Sequence, residues 1–189
     1  MAISIEFGRP EWQSHLGGDL YPPEHDGDLW WRWCGSGIFW CVLPKETPSG
    51  PVKIRLEAAP LAPFSGPIME LLLTDQTGKT LARRVSSTGC VAAQTDLVCV
   101  PTTHCAAAWR LIPPPGITVT MGQEIVARLG YETRPEVQVR DFEIPEGPED
   151  RAALRIISFQ ASPAIAATEL GTSDDRRPLA FRLFRLILL

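Results

Sequence analysis

GGDLYPPEHDGDLWWRWCGSGIFWCVL, residues 17–43, is the stretch around which the rest of the chain is read. Its first half is crowded with glycine, proline and aspartate and reads as a polar loop running through His25 to Asp28. Its second half leads into Gly37–Leu43, an apolar run stopped by Pro44, which reads as a β-strand. Between them the segment carries Trp30, Trp31, Trp33 and Trp40 of the chain's six tryptophans. On a strand, Trp31 and Trp33 share one face while Trp30 and Arg32 share the other. The tandem prolines after Tyr21 hold the backbone extended and pre-order the loop, with or without a ligand. The expectation is an aromatic surface presented by an all-β scaffold.

Outward from this segment the same period of two recurs. Met1–Phe7 alternates Ile3, Ile5 and Phe7 with polar neighbours, and Val52, Ile54 and Leu56 alternate with Lys53, Arg55 and Glu57, the cleanest half-buried strand in the chain. Ala59–Pro67 reads as a rigid connector. Ile68–Thr74 and Lys79–Val85 flank a tight DQTG turn and read as a hairpin. Further strands are expected at Thr95–Val100, Ala106–Ile112, Ile117–Thr120, Glu124–Leu129, Val137–Phe142 and Leu154–Phe159, with IPEGPED after Phe142 as a surface loop. The final run, Leu179–Leu189, fits a central strand buried on both faces; its Arg182 and Arg185 also fit an amphipathic helix lying on a membrane or partner. Strands repeating every 8–12 residues predict an antiparallel β-sandwich forming a single domain over residues 1–189.

Composition narrows the function. Of 189 residues, 21% are charged and 44% hydrophobic, with 18 prolines and 15 glycines, which suits a globular chain of short strands. The net charge of −4 argues against nucleic acid as a partner, since phosphate binding asks for a basic face. No run approaches the length of a transmembrane helix, and the N-terminus lacks the basic and apolar regions of a signal peptide. Cys34, Cys41, Cys90, Cys99 and Cys105 are therefore expected as reduced thiols, mostly buried, in a cytoplasmic protein, with an inter-strand disulfide as the alternative.

Candidate chemistry gathers at two places. Flat indole faces suit sugar rings, and Tyr21, Glu24, His25, Asp26, Asp28 and Arg32 would read hydroxyls beside Trp30, Trp31 and Trp33. The competing reading puts some of these tryptophans in the core. The second group is Asp174, Asp175, Arg176 and Arg177, before the last strand, where an Asp–Arg pair can lock a loop. Glu24 or Asp26 is expected to meet Arg176 or Arg177, tying the two ends of the chain together. No nucleophile elbow, zinc-protease or phosphate-loop motif is present. His104-Cys105 is a poor dyad because neighbours on a strand point apart. Glu24 with Asp174 is the only guess at a glycosidase pair, and Asp19, Asp26 and Asp28 the only guess at a calcium site. No cofactor or metal is expected.

Residues 17–33 and 172–188, GGDLYPPEHDGDLWWRW and TSDDRRPLAFRLFRLIL, resemble the opening "GW(H/Y)PxE…G..(F/W)RW" and closing "D.R.LG..(L/I)..(I/L)" motifs of small β-sandwich domains in bacterial glycosyltransferases and exopolysaccharide-cluster proteins. Tyr21, Pro22, Glu24, Arg32 and Trp33 take the first motif; Asp175, Arg177 and Leu179 take the second, although Asp174 with Arg176 fits the spacing equally. Asp19 and Leu20 replace the glycine and tryptophan expected before Tyr21, and Ala180 replaces the later glycine. The resemblance implies a jelly-roll or galactose-binding-like sandwich acting as a non-catalytic carbohydrate-recognition module in surface-polysaccharide synthesis. The alternatives are a protein-interaction module docking on a glycosyltransferase or an identical subunit and, after that, a glycan-acting hydrolase.

Overall fold

Alternating side chains become strands where one face finds a core, and this chain does so along most of its length. The computed structural model describes residues 3–61, 68–77, 79–87, 105–146, 154–170 and 174–189. These form β1 (Ile3–Glu6), β2 (Leu16–Asp26), β3 (Leu29–Val42), β4 (Val52–Pro60), β5 (Ile68–Asp75), β6 (Thr80–Ser87) and β7 (Cys105–Leu111). They continue as β8 (Gly116–Met121), β9 (Glu124–Gly130), β10 (Gln138–Ile144), β11 (Ile156–Ser162), β12 (Ile165–Ala166), β13 (Pro178–Leu179) and β14 (Phe181–Leu188). Short 3₁₀ helices cover Pro10–His15 and Ala167–Leu170. The expected strand at Thr95–Val100, and His104 of the weak dyad, lie outside the described residues.

The largest sheet is antiparallel, in the order β10-β4-β14-β3-β11-β8-β9, with β1 beside β14 and β2 beside β3. It doubles over because β3 belongs to both halves: Arg32–Cys34 pair with β14, whereas Ile38–Val42 pair with β11. Buried positions on β3 shift from even (Arg32, Cys34) to odd (Phe39, Cys41) between those halves. A strand with unbroken alternation cannot do this, so the backbone turns a corner at Gly35-Ser36-Gly37. The Asp19 carboxylate fills that corner, accepting the Gly37 N–H at 2.7 Å, and a Cβ on Gly35 would run into it. The far edges, β9 and β10, approach each other, so the sandwich is nearly closed. The fold is all-β, an antiparallel sandwich that is nearly closed into a barrel.

The core lies between the two halves. Ile5, Phe7, Ile54, Leu56, Phe181 and Leu183 face Phe39, Cys41, Ile117, Val119, Ile157 and Phe159. Phe39 stacks on Phe159 at 5.0 Å and meets Phe7 edge-on at 6.2 Å, so one ring touches both layers. A separate antiparallel sheet, β6-β5-β7, pairs the two strands expected as a hairpin, and Asp75 Oδ1 accepts the Thr77 and Lys79 N–H groups.

Three expectations are corrected. Residues 17–26 are not a loop but most of β2, paired with β3 through Pro23↔Arg32, Glu24↔Trp31 and His25↔Trp30. Prolines are tolerated there because, among the described residues, β2 pairs with β3 alone, and an open edge needs no N–H. Ala59 and Pro60, read as connector, continue β4 against β14. β14 is a central strand, not a helix, but it is not buried on both faces: Leu183, Leu186 and Leu188 fill the core, while Arg182 is half-buried and Arg185 exposed opposite them.

Candidate ligand-binding face

The β2–β3 hairpin splits the tryptophans as alternation dictates. Trp31 and Trp33 lie on the outer face of the first layer, where β14 brings Arg182 directly opposite Trp33. The Arg182 guanidinium sits 5.9 Å from the Trp31 ring, 5.6 Å from Trp33 and 5.8 Å from Phe184. Its Nη2 donates to the Pro135 carbonyl at 3.0 Å. Burial among the rings lowers its pKa, while the Glu24 carboxylate pulls the other way. Both indoles are half-buried and serve the sheet as much as the surface.

Trp30 points the other way, at the hairpin tip. It stacks on His25 at 4.5 Å, and the Arg9 guanidinium lies 5.4 Å from its ring. Arg32, on the same side, is buried, and its Nε donates to the Phe7 carbonyl at 2.8 Å. Burial lowers its pKa, and it tethers the end of β1 rather than facing solvent. Trp40 lies in the second layer with its ring against Gly17. The four indoles therefore do not make one platform.

Tyr21, Glu24, Asp175 and Arg177 do come together. Arg177 Nη2 donates to Glu24 Oε1 at 2.9 Å and to Asp175 Oδ2 at 2.7 Å, and its guanidinium lies 5.1 Å from the Tyr21 ring. The expected tie between the β2 segment and the approach to the last strand is thus made by Arg177 and Glu24. These hydrogen bonds hold the Asp175 carboxyl below its ordinary value and raise Arg177. Asp174 and Arg176 are exposed beside this clamp, and Asp26 is exposed at the turn. The spacing alone left the two Asp–Arg pairs equivalent; the fold uses the later one.

A hollow of about 400 Å³ opens between the hairpin tip and the edge of β14. Trp30, Leu29, Phe184 and Val137 supply its apolar wall; Glu6, Arg9, Asp28, Glu57 and Arg185 supply its charge. Strand register sets Glu6, Arg185 and Glu57 side by side on β1, β14 and β4. Arg185 Nε donates to Glu57 Oε2 at 2.6 Å and Arg9 Nε to Glu6 Oε2 at 3.2 Å. Each pair is fixed by its partner, so donors and acceptors are presented in set positions. Sequence reasoning reached Trp30 and Asp28 but missed Glu6, Arg9, Glu57 and Arg185. Alternation marked Glu6 and Glu57 as outward-facing; nothing local marked them as neighbours.

Among the described residues no three His, Cys, Asp or Glu side chains converge on a metal position. Asp19, one of the calcium candidates, is committed to the Gly37 N–H. No described helix is long and apolar enough to cross a membrane.

No family model matches the chain, and no curated protein matches it. Among solved structures it is similar to the enzymatically active domain of tailspike protein 4 of bacteriophage CBA120, at 9% identity and a TM-score of 0.34, over 100% of this chain and 19% of that one. It is also similar to a cleaved adhesin domain of the Lys-gingipain of Porphyromonas gingivalis, at 8% identity and a TM-score of 0.38, over 100% of this chain and 98% of that one. The chain thus spans only a small part of the tailspike, and similarities at these scores bear on no function.

Proposed function

We propose that this sandwich is a non-catalytic carbohydrate-recognition module serving bacterial surface-polysaccharide synthesis. The observation that carries the reading is the hollow at the hairpin tip, where Trp30 and Phe184 meet two fixed guanidinium–carboxylate pairs. A sugar asks for that mixture: apolar C–H faces need aromatic wall, and hydroxyls need donors and acceptors already held in place. The link to polysaccharide synthesis rests on the resemblance of residues 17–33 and 172–188 to the sandwich domains of that machinery.

Calorimetric titration with neutral bacterial exopolysaccharide fragments tests the site. Trp30→Ala and Glu57→Gln should each weaken binding at least tenfold, about 1.4 kcal/mol, with little change in melting temperature. Binding that survives both substitutions removes the hollow as the site. A second reading, docking on a glycosyltransferase or an identical subunit, draws on Leu29, Val137 and Val139, large apolar side chains exposed on or beside the same face. Light scattering after size exclusion separates the two, because the docking module in its self-associating form is a stable oligomer without any glycan.

A further inference from the structure

The opposite face of the sandwich carries a second groove, of about 590 Å³, whose chemistry differs from the first. It runs across β11, β8 and β9, whose register places Gln160, Thr118 and Arg128 in one cross-strand row and Ser162, Gly116 and Gly130 in the next. The rows share a face because residues two apart on a strand point the same way. Gly116 and Gly130 stand directly opposite each other, so the floor of the second row is bare backbone. A Cβ placed on Gly130 would meet nothing within 4 Å, which leaves a notch flanked by a hydroxyl, an amide and a guanidinium. In a further row on the same face, Trp40 pairs with Ser158, and Ser158 with Thr120.

Charge separates this groove from the hollow at the hairpin tip. That hollow is lined by three carboxylates, Glu6, Asp28 and Glu57. Among the described residues the groove is lined by none, and Arg128 is the only charged group there and has no ion-pair partner. On a chain of net charge −4, a guanidinium set among neutral hydroxyls and an amide, with no described carboxylate beside it, selects for one negative charge on an otherwise hydroxylated ligand. We infer that the groove binds an acidic sugar, a uronate residue of a glycan, with its carboxylate on Arg128 and its hydroxyls on Thr118, Gln160 and Ser162. This rests on the carbohydrate reading but assigns a separate site.

Titration of the full chain with trigalacturonate and with its methyl ester, alongside the neutral fragments used for the hollow, tests the assignment. Trigalacturonate should bind, its ester at least tenfold more weakly. Arg128→Gln and Gly130→Val should each weaken trigalacturonate at least tenfold while leaving the melting temperature and neutral-glycan binding unchanged. Gly130→Val fills the notch without touching the core, so its loss would be steric. Trp30→Ala should leave trigalacturonate binding intact. The assignment is overturned if trigalacturonate does not bind, if neither groove substitution affects it, or if Trp30→Ala alone abolishes it. Failure of neutral-glycan binding with trigalacturonate binding retained would sink the hollow and keep the groove.

Discussion

Cys34 and Cys41 carry the same side chain as any surface cysteine, yet burial pushes both thiols up to about 12, with the Asp19 carboxylate adding to the shift at Cys34. A thiol with so high a value holds almost no thiolate at pH 8, and thiolate is the reactive form. Iodoacetamide at pH 8 should therefore spare the peptides containing Cys34 and Cys41 in the folded protein and label them rapidly in denaturant. Equal labelling in both states, read by mass spectrometry, would contradict their packing. Arg32 and Arg182 make the same point about neighbours. One lies buried with its Nε on a backbone carbonyl, the other among three rings. Alternation showed that Trp31 and Arg32 point apart, but not what either would meet.

At the scale of elements, the Arg177 clamp joins β2 to the approach to β14, segments at opposite ends of the chain. Its groups are about one-third exposed, at 36% for Arg177 and 35% for Glu24, so solvent screens much of the attraction. Arg177→Ala should cost about 1 kcal/mol, and Arg176→Ala less than about 0.5 kcal/mol, in denaturant unfolding. Equal effects would put the clamp elsewhere. The pH dependence has a defined sign. Arg177 holds Asp175 below the ordinary value of 3.8, so its contribution is present above 3.8 and lost as pH falls through the lower folded value. Wild type and Asp175→Asn should differ in melting temperature at neutral pH, and the difference should shrink as pH falls below the ordinary carboxylate value. The strand that carries Glu24 is where local preference and fold differ most. Glycine, proline and aspartate mark loops by local preference, but an open-edge strand accepts them, and only the neighbouring strand shows that an edge is there.

For the molecule as a whole, the bend in β3 is what makes two layers out of one sheet. Phe39 sits just past that bend, touching Phe7 in one layer and Phe159 in the other. Phe39→Ala should lower stability by about 3–5 kcal/mol, through lost burial and the cavity left between layers. A loss under about 1 kcal/mol in guanidinium unfolding would mean that this ring does not bridge the halves.

By itself the sequence determined the all-β class, most strand positions and the outward face of cleanly alternating strands such as β1 and β4. Those follow from a period of two and from turn chemistry, which act over a few residues. Only the tertiary structure decided that β3 changes layers, that Glu6, Arg185 and Glu57 become neighbours, and that Gly116 meets Gly130 to open a notch. Register between strands far apart in the chain is set by how their buried faces pack. That depends on the whole core at once, and no single segment carries it.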